Sequence, residues 1–403
     1  MSDFYQTGVI STFHKLGVLN LEKIEAELIW HSQDRPIALV LPSLFSEIEG
    51  DALNSIIREL KEVRYIAEVV VTLGPCTREE FQHARDFFSV LPQKTTLIWN
   101  NGEKVSDVYR DIEEARLPLG EPGKGKSAWM AYGYVLARRE PRVIALHDCD
   151  IVDYRRDLLA RLCYPVVNPN LDYEFCKGYY SRVTDRLHGR VTRLLVFPLI
   201  RALQKIIGFT PLLVYFDSFR YPLAGEFSMN VELARVIRIP ADWGLEVGVL
   251  AEVHRNSATR RICQVDIAEN YEHKHQELSP DDASRGLMKM CIDISKSLFR
   301  TLASEGVIFS EGFFKALIAT YVRTAQDMLK RFEDDAAING LFFDRHAESL
   351  AVETFTNGIK MAADIIMKDP LGVPLIPSWD RVTSAIPDIL NKLKEAVEED
   401  NKI

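Results

Sequence analysis

The sequence predicts an α/β protein: a doubly wound, Rossmann-like core on a largely parallel sheet, followed by a helical C-terminal region. Three observations carry this. Short apolar runs alternate with helical patterns from about residue 36 onward, as in stacked βα units. The run Val143-Ile144-Ala145-Leu146 is continuously apolar, like a strand buried on both faces, and His147-Asp148-Cys149-Asp150 follows it at once. Beyond Pro280 the apolar spacing is almost wholly helical, with breaks near Gly340 and from Asp369 to Pro377.

Residues 1–35 read as a helical preamble. Residues 36–150 form the first half of the core. There Ile37–Leu41 is a strand leading to the helix Asp51–Glu62, and Ile66–Leu73 is a strand leading to a helix opened by the capping box Thr77-Arg78-Glu79-Glu80. Thr95–Trp99 is the third strand, and the Gly-rich loop 120–125 starts a helix Lys126–Arg138 ahead of the strand Val143–Leu146. Residues 151–280 form the second half, with strands at Tyr173–Tyr180 and Ile262–Ile267 and helices at Val191–Ile207 and Trp243–Arg255. This half would carry the second substrate. Residues 281–403 form the helical region, whose tail Glu398-Glu399-Asp400 reads as a solvated helix end.

With 403 residues, 47% hydrophobic and 27% charged, the composition is that of an ordinary globular protein larger than one core. A formal net charge of −9 argues against nucleic acid as a partner. The start Met1-Ser2-Asp3-Phe4 lacks a basic segment and apolar core, so a cytoplasmic location is expected. The most apolar stretch, Val191 to Phe209, is interrupted by Arg193, Arg201 and Lys205, which marks an amphipathic helix and excludes a membrane span. Six dispersed cysteines without a C-x-x-C pair fit buried, reduced thiols.

Asp148 and Asp150 would stand at the carboxyl end of their strand, where open α/β sheets collect ligands. Hard oxygens there suit Mg²⁺ or Mn²⁺ carrying a diphosphate, hence a nucleotide-linked donor, although Asp also ends strands as a turn former. Gly120-Glu121-Pro122-Gly123-Lys124-Gly125-Lys126-Ser127 matches the phosphate loop of ATPases, but Val105 to Arg116 before it has helical spacing where that loop needs a strand. Gly-rich amides, a helix start and Lys124 or Lys126 can still hold a diphosphate.

Pro122-Gly123-Lys124-Gly125, Asp148-Cys149-Asp150, Lys177-Gly178-Tyr179-Tyr180, Gly189-Arg190-Val191-Thr192, Pro222-Leu223-Ala224-Gly225-Glu226 and Trp243-Gly244-Leu245-Glu246-Val247-Gly248, with Pro42 and the His273 region, resemble the glucosyl-3-phosphoglycerate synthases over roughly residues 35 to 280. The resemblance implies a retaining GT-A glycosyltransferase with a mixed, mainly parallel sheet. It implies Asp148, Asp150 and His273 as ligands of Mg²⁺ or Mn²⁺, with His275 a close competitor of His273. Pro42, Leu44, Glu47, Lys124, Cys149 and Glu226 would contact the donor nucleotide-sugar, and Lys124 would offset charge on the leaving diphosphate. Gly189, Arg190 and Thr192 would bind the acceptor phosphate; physically, a helix start, a guanidinium and a hydroxyl can converge on one anion. Glu246 would act beside the reacting sugar, and the Leu223 carbonyl beside the anomeric carbon. The implied reaction moves a hexose, glucose first, from a nucleoside diphosphate sugar such as UDP-glucose to the 2-hydroxyl of 3-phosphoglycerate. A homodimer is expected, with the helical C-terminal region building the contact.

The sequence departs from relatives at three places. Pro42-Ser43-Leu44 runs on to Phe45-Ser46-Glu47 without the usual Asn-Glu pair, Thr72-Leu73-Gly74-Pro75-Cys76 replaces an Asp- and Ser-rich turn, and Ala224 replaces a glycine beside the sugar. Uridine versus guanosine, and glucose versus mannose, therefore stay open, with a mannosyl-3-phosphoglycerate or mannosylglycerate synthase using GDP-mannose as the alternative. A P-loop NTPase needing Lys126 and Ser127, and a silent binding module, are the more distant readings.

Overall fold

The computed structural model describes residues 6, 8–269, 271, 277–280, 282–370 and 375–402. Its eight strands are β1 (Ser11–Phe13), β2 (Ile37–Ser43), β3 (Ile66–Leu73), β4 (Lys94–Trp99), β5 (Val143–Leu146), β6 (Phe175–Tyr180), β7 (Phe227–Asn230) and β8 (Ile262–Ala268). They form one sheet in the order β1-β8-β6-β7-β5-β2-β3-β4. Only β7 is antiparallel, to β5 on one side and β6 on the other, so the expected mixed, mainly parallel sheet is present.

Alternation along the strands feeds two cores. Ala38 and Val40 of β2 face one with Ile144 and Leu146 of β5, while Ile37, Leu39 and Leu41 face the other with Val143 and Ala145. The first core also takes in the buried helix Lys124–Arg138 and the C-terminal helices Gly286–Ser304, Glu311–Ile338 and Arg345–Lys368. The capping box at Thr77 forms as expected: Thr77 Oγ1 accepts from the Glu80 N–H at 3.2 Å, and the Thr77 N–H donates to Glu80 Oε2 at 2.7 Å.

Several expectations need correction. The preamble contributes a strand, β1, that extends the sheet beside β8, as well as the helix Leu21–His31. The helix expected from Lys126 begins at Lys124, because Gly123 is extended and ends the loop. Val191–Ile207 is not one regular helix: Val191–Val196 is a π-helical turn and Phe197–Ile207 is α-helical, with Pro198 in its first turn. The helix expected from Trp243 begins at Leu245, and the helix Arg156–Val167 and strand β7 were not foreseen. No described helix is long and apolar enough to cross a membrane.

The acidic tail is not solvated at its end: Asp400 is 1% exposed, because the helix Ile389–Asp400 packs against Glu103–Glu114 and Lys124–Arg138. Burial pushes the Asp400 carboxyl up to about 6, against the pull of the Val105 N–H and Lys104. The folded state therefore holds this proton more tightly than the unfolded chain, whose value is about 3.9. The stabilisation is complete at low pH and is lost as pH rises from about 4 through 6. Asp400→Asn is expected to be more stable than the wild type at pH 7.5, by at most about 3 kcal/mol, with the gap closing by pH 4. Paired urea titrations at the two pH values check this.

Candidate functional site

The carboxyl ends of the central strands bring the predicted residues together. β5 ends at Leu146, and Asp148 and Asp150 follow in a half-exposed turn. The first turn of the helix Lys124–Arg138 lies against it: Lys124 Nζ is 2.6 Å from Asp148 Oδ1 and 3.3 Å from Glu246 Oε1. Burial works against the ammonium, but Asp148 and Glu246 outweigh it and raise its pKa, so Lys124 stays charged. Glu246 lies in the first turn of the helix Leu245–Asn256 and is 7% exposed, so its carboxylate faces inward and not to the surface.

From the other side comes the turn before β7. Gly225 lets it close on the site, since a Cβ there would lie 2.5 Å from Asp148 Oδ2. Glu226 is fully buried; its Oε1 accepts from the Tyr271 hydroxyl, and its Oε2 has no hydrogen-bond partner among the described residues. Burial, then the charge of Asp148, raises the Glu226 pKa against the Tyr271 hydrogen bond. Leu223 is half-buried on the same turn. Ala224 points its methyl into the core at 0% exposure, so its expected influence beside the sugar is corrected to a packing role.

Glu47 folds back on the end of β2, accepting from the Leu44 N–H and the Ser43 hydroxyl at 3.0 Å each. Burial, supported by the charges of Asp150 and Asp148 and opposed by the Leu44 hydrogen bond, pushes its carboxyl up to about 7. Pro42 is half-buried within β2 and Leu44 is 54% exposed. Cys149 is 1% exposed, its thiol beside Ser43 and Glu47, and burial raises its pKa.

Asp148 and Asp150 supply the hard oxygens that a divalent cation takes, and the ammonium of Lys124 already stands at Asp148 in a cation's place. Among the described residues no third side chain completes a metal cluster. His273 and its competitor His275 lie outside the described residues.

The acceptor segment lies further along the chain. Gly189 takes a left-handed φ of +72°, and Arg190 leads into the π-helical turn. Thr192 Oγ1 is buried without a hydrogen-bond partner among the described residues, while Arg190 Nε donates to Glu348 Oε1 at 2.7 Å. The segment that resembles a Walker motif, residues 120–127, follows the helix Glu103–Glu114 and residues 115–119, with no strand directly before it. Lys126 lies over the Tyr109 ring and burial lowers its pKa, so the NTPase reading loses its structural context.

Two residues escaped the sequence reading. Lys177, quoted only as part of a motif, is fully buried in β6 and its Nζ donates to Ala224 O at 2.5 Å, anchoring the turn at the site. A lysine inside an apolar strand was the signal for it. Glu348 had no local signal, because its partners are 155 and 158 residues away.

No family model matches the chain. The glucosyl-3-phosphoglycerate synthase of Persephonella marina is 49% identical over 401 residues, 100% of this chain and 99% of that protein. The glucosyl-3-phosphoglycerate synthase of Methanococcoides burtonii is 41% identical over 399 residues, 98% of this chain and 97% of that protein. Among solved structures, the glucosyl-3-phosphoglycerate synthase of Mycobacterium tuberculosis in complex with Mn²⁺, UDP-glucose and phosphoglyceric acid superposes with a TM-score of 0.51 at 20% identity, covering 75% of this chain and 89% of that one. That likeness bears out the GT-A fold. Full-length identity of 49% and 41% settles the relationship: the chain belongs to the glucosyl-3-phosphoglycerate synthase family.

Proposed function

We infer that the protein is a retaining glycosyltransferase that moves glucose from UDP-glucose to the 2-hydroxyl of 3-phosphoglycerate. The observation that carries this is Lys124 held between Asp148 and Glu246, which sets a permanent cation among carboxylates where a nucleotide diphosphate would lie. The names of the full-length relatives support the glucosyl donor and phosphoglycerate acceptor. UDP-glucose in the mycobacterial structure supports uridine over guanosine.

Asp148 and Asp150 would hold Mg²⁺ or Mn²⁺, which would supply Lewis-acid charge to the diphosphate. Lys124 offsets negative charge on the leaving phosphate as the glycosidic bond breaks. Glu246, at 3.3 Å from Lys124, would orient sugar hydroxyls and face positive charge at the anomeric carbon. Glu226 Oε2 offers a second, buried acceptor for a hydroxyl. Arg190, Thr192 and the Gly189 backbone hold the acceptor phosphate, so that the acceptor hydroxyl meets the anomeric carbon from the leaving-group side. The leaving phosphate oxygen then takes the hydroxyl proton, and no enzyme nucleophile is required.

Six buried free cysteines support a cytoplasmic setting, and the exposed Ile338 and Phe342 of the helical region offer apolar area for a homodimer contact. Sedimentation checks the dimer. The test of function is nucleoside diphosphate release from UDP-glucose, GDP-glucose or GDP-mannose, with and without 3-phosphoglycerate, and with ATP as control. UDP release from UDP-glucose that needs both 3-phosphoglycerate and a divalent cation, and stops with EDTA, is expected. Preference for GDP-mannose would replace the donor, and ATP hydrolysis alone would overturn the reading.

A further inference from the structure

We propose that Glu348, on the C-terminal helix Arg345–Lys368, is a positioning residue for the acceptor phosphate. It would act by holding Arg190 and so tie the helical region to acceptor recognition. The inference rests on the acceptor site proposed above. Glu348 is 4% exposed and divides its carboxylate between two guanidiniums: Oε1 accepts from Arg190 Nε at 2.7 Å and Oε2 from Arg193 Nη2 at 3.0 Å. Two cations against one buried carboxylate leave a net positive charge at this spot.

The two arginines are held differently. Arg193 is 8% exposed, donates to the Leu187 and His188 carbonyls and packs over the Phe332 ring, so it is part of the scaffold. Arg190 is half-exposed, and Nε is its one hydrogen-bonding group engaged among the described residues. Glu348 thus fixes the guanidinium plane by one edge and leaves the Nη groups for an anion. Thr192, two residues on, contributes the buried hydroxyl that lacks a partner. The helical region grips the same loop again: the Phe342 N–H donates to Asp185 O at 2.8 Å, and Arg186 stacks over the Phe342 ring. Without Glu348 the neighbouring guanidiniums repel, and Arg190 is free to swing into solvent.

The experiment measures Glu348→Gln, Glu348→Asp and Arg190→Met beside the wild type. For Glu348→Gln the KM for 3-phosphoglycerate is expected to rise about tenfold, with kcat and the KM for UDP-glucose within about twofold; this corresponds to the aim of one charge-assisted hydrogen bond. Glu348→Asp, which restores the charge, recovers part of the loss. Arg190→Met reports on the acceptor site itself: an unchanged KM for 3-phosphoglycerate there overturns both the acceptor reading and this inference. If Arg190→Met raises that KM but Glu348→Gln leaves it unchanged, or lowers kcat and raises both KM values alike, this inference alone is overturned. Should the Glu348 variants fail to fold, hydrogen exchange on the wild type decides. Saturating 3-phosphoglycerate is expected to slow exchange in Arg345–Lys368, and no slowing overturns the proposal.

Discussion

Lys124→Met is expected to lower kcat/KM by about 10²- to 10³-fold and, in the same protein, to raise the affinity for Mn²⁺ in the absence of nucleotide. The two effects have one origin. Lys124 Nζ stands 2.6 Å from Asp148 Oδ1 and 3.3 Å from Glu246 Oε1, and these carboxylates keep it charged despite burial. In the free protein the ammonium and a divalent ion compete for Asp148. Methionine keeps the length and apolar stem of the side chain and removes the charge, so Asp148 becomes a better ligand while the leaving diphosphate loses its point charge. Lys124→Arg is not a conservative rescue, because a guanidinium is larger and planar and spreads its charge over a fork where the compact ammonium acts as a point charge. Calorimetric titration with Mn²⁺ beside steady-state kinetics separates the outcomes. Slower turnover with unchanged or weaker Mn²⁺ binding would show that Lys124 supports the fold of the site and does not share Asp148 with the cation.

Much of this arrangement was legible because it is local in the chain. Ile66–Leu73 and Val143–Leu146 were readable to the residue, since a strand buried within a sheet is a short apolar run between turn signals. The Asp148 turn and the Lys124 loop carried motifs whose chemistry could be argued before any fold was known. Residues that depend on tertiary partners were less readable. β1 is a three-residue edge strand defined by its pairing with β8, and β7 is a four-residue insertion between β5 and β6. Neither is long enough to show a period. Cys149 and Ala224 lie in functional motifs, yet their side chains are buried, Cys149 beside Ser43 and Glu47 and Ala224 in the core, and a motif does not say how deep a side chain sits. Asp400 reads as a solvated helix end and Glu348 carries no local signal; what buries them is folded over from far along the chain. The legible part is thus the site's chemistry, and the illegible part is the scaffold that the helical region builds around it.

That scaffold can be tested where its tail meets the core: Trp379→Ala is expected to destabilise the protein by about 3 to 5 kcal/mol, the range for emptying an aromatic core position. Trp379 and Trp129 are nearly fully buried and stack with ring centroids 4.1 Å apart and planes at 15°. Each indole N–H is satisfied across the pair's surroundings: Trp129 Nε1 donates to Pro377 O at 2.8 Å and Trp379 Nε1 to Trp129 O at 2.9 Å. The contact pins residues 375–402 to the helix Lys124–Arg138, whose first residue is the lysine at the site. Gly133 makes it possible, because a Cβ there would lie 2.0 Å from Trp379 Cζ2, inside the ring. Gly133→Ala adds helix propensity of about 1 kcal/mol, yet the steric conflict should dominate and make it destabilising as well. Urea titration of both variants, with limited proteolysis of the C-terminal segment, checks this. If the tail is released while the sheet stays folded, proteolysis precedes the main unfolding transition and turnover falls with it, because Lys124 loses the packing behind its helix. If Trp379→Ala changes the urea midpoint by less than the equivalent of about 1 kcal/mol, the stacked pair is dispensable and the tail is held instead by Ile389–Asp400 against its neighbouring helices.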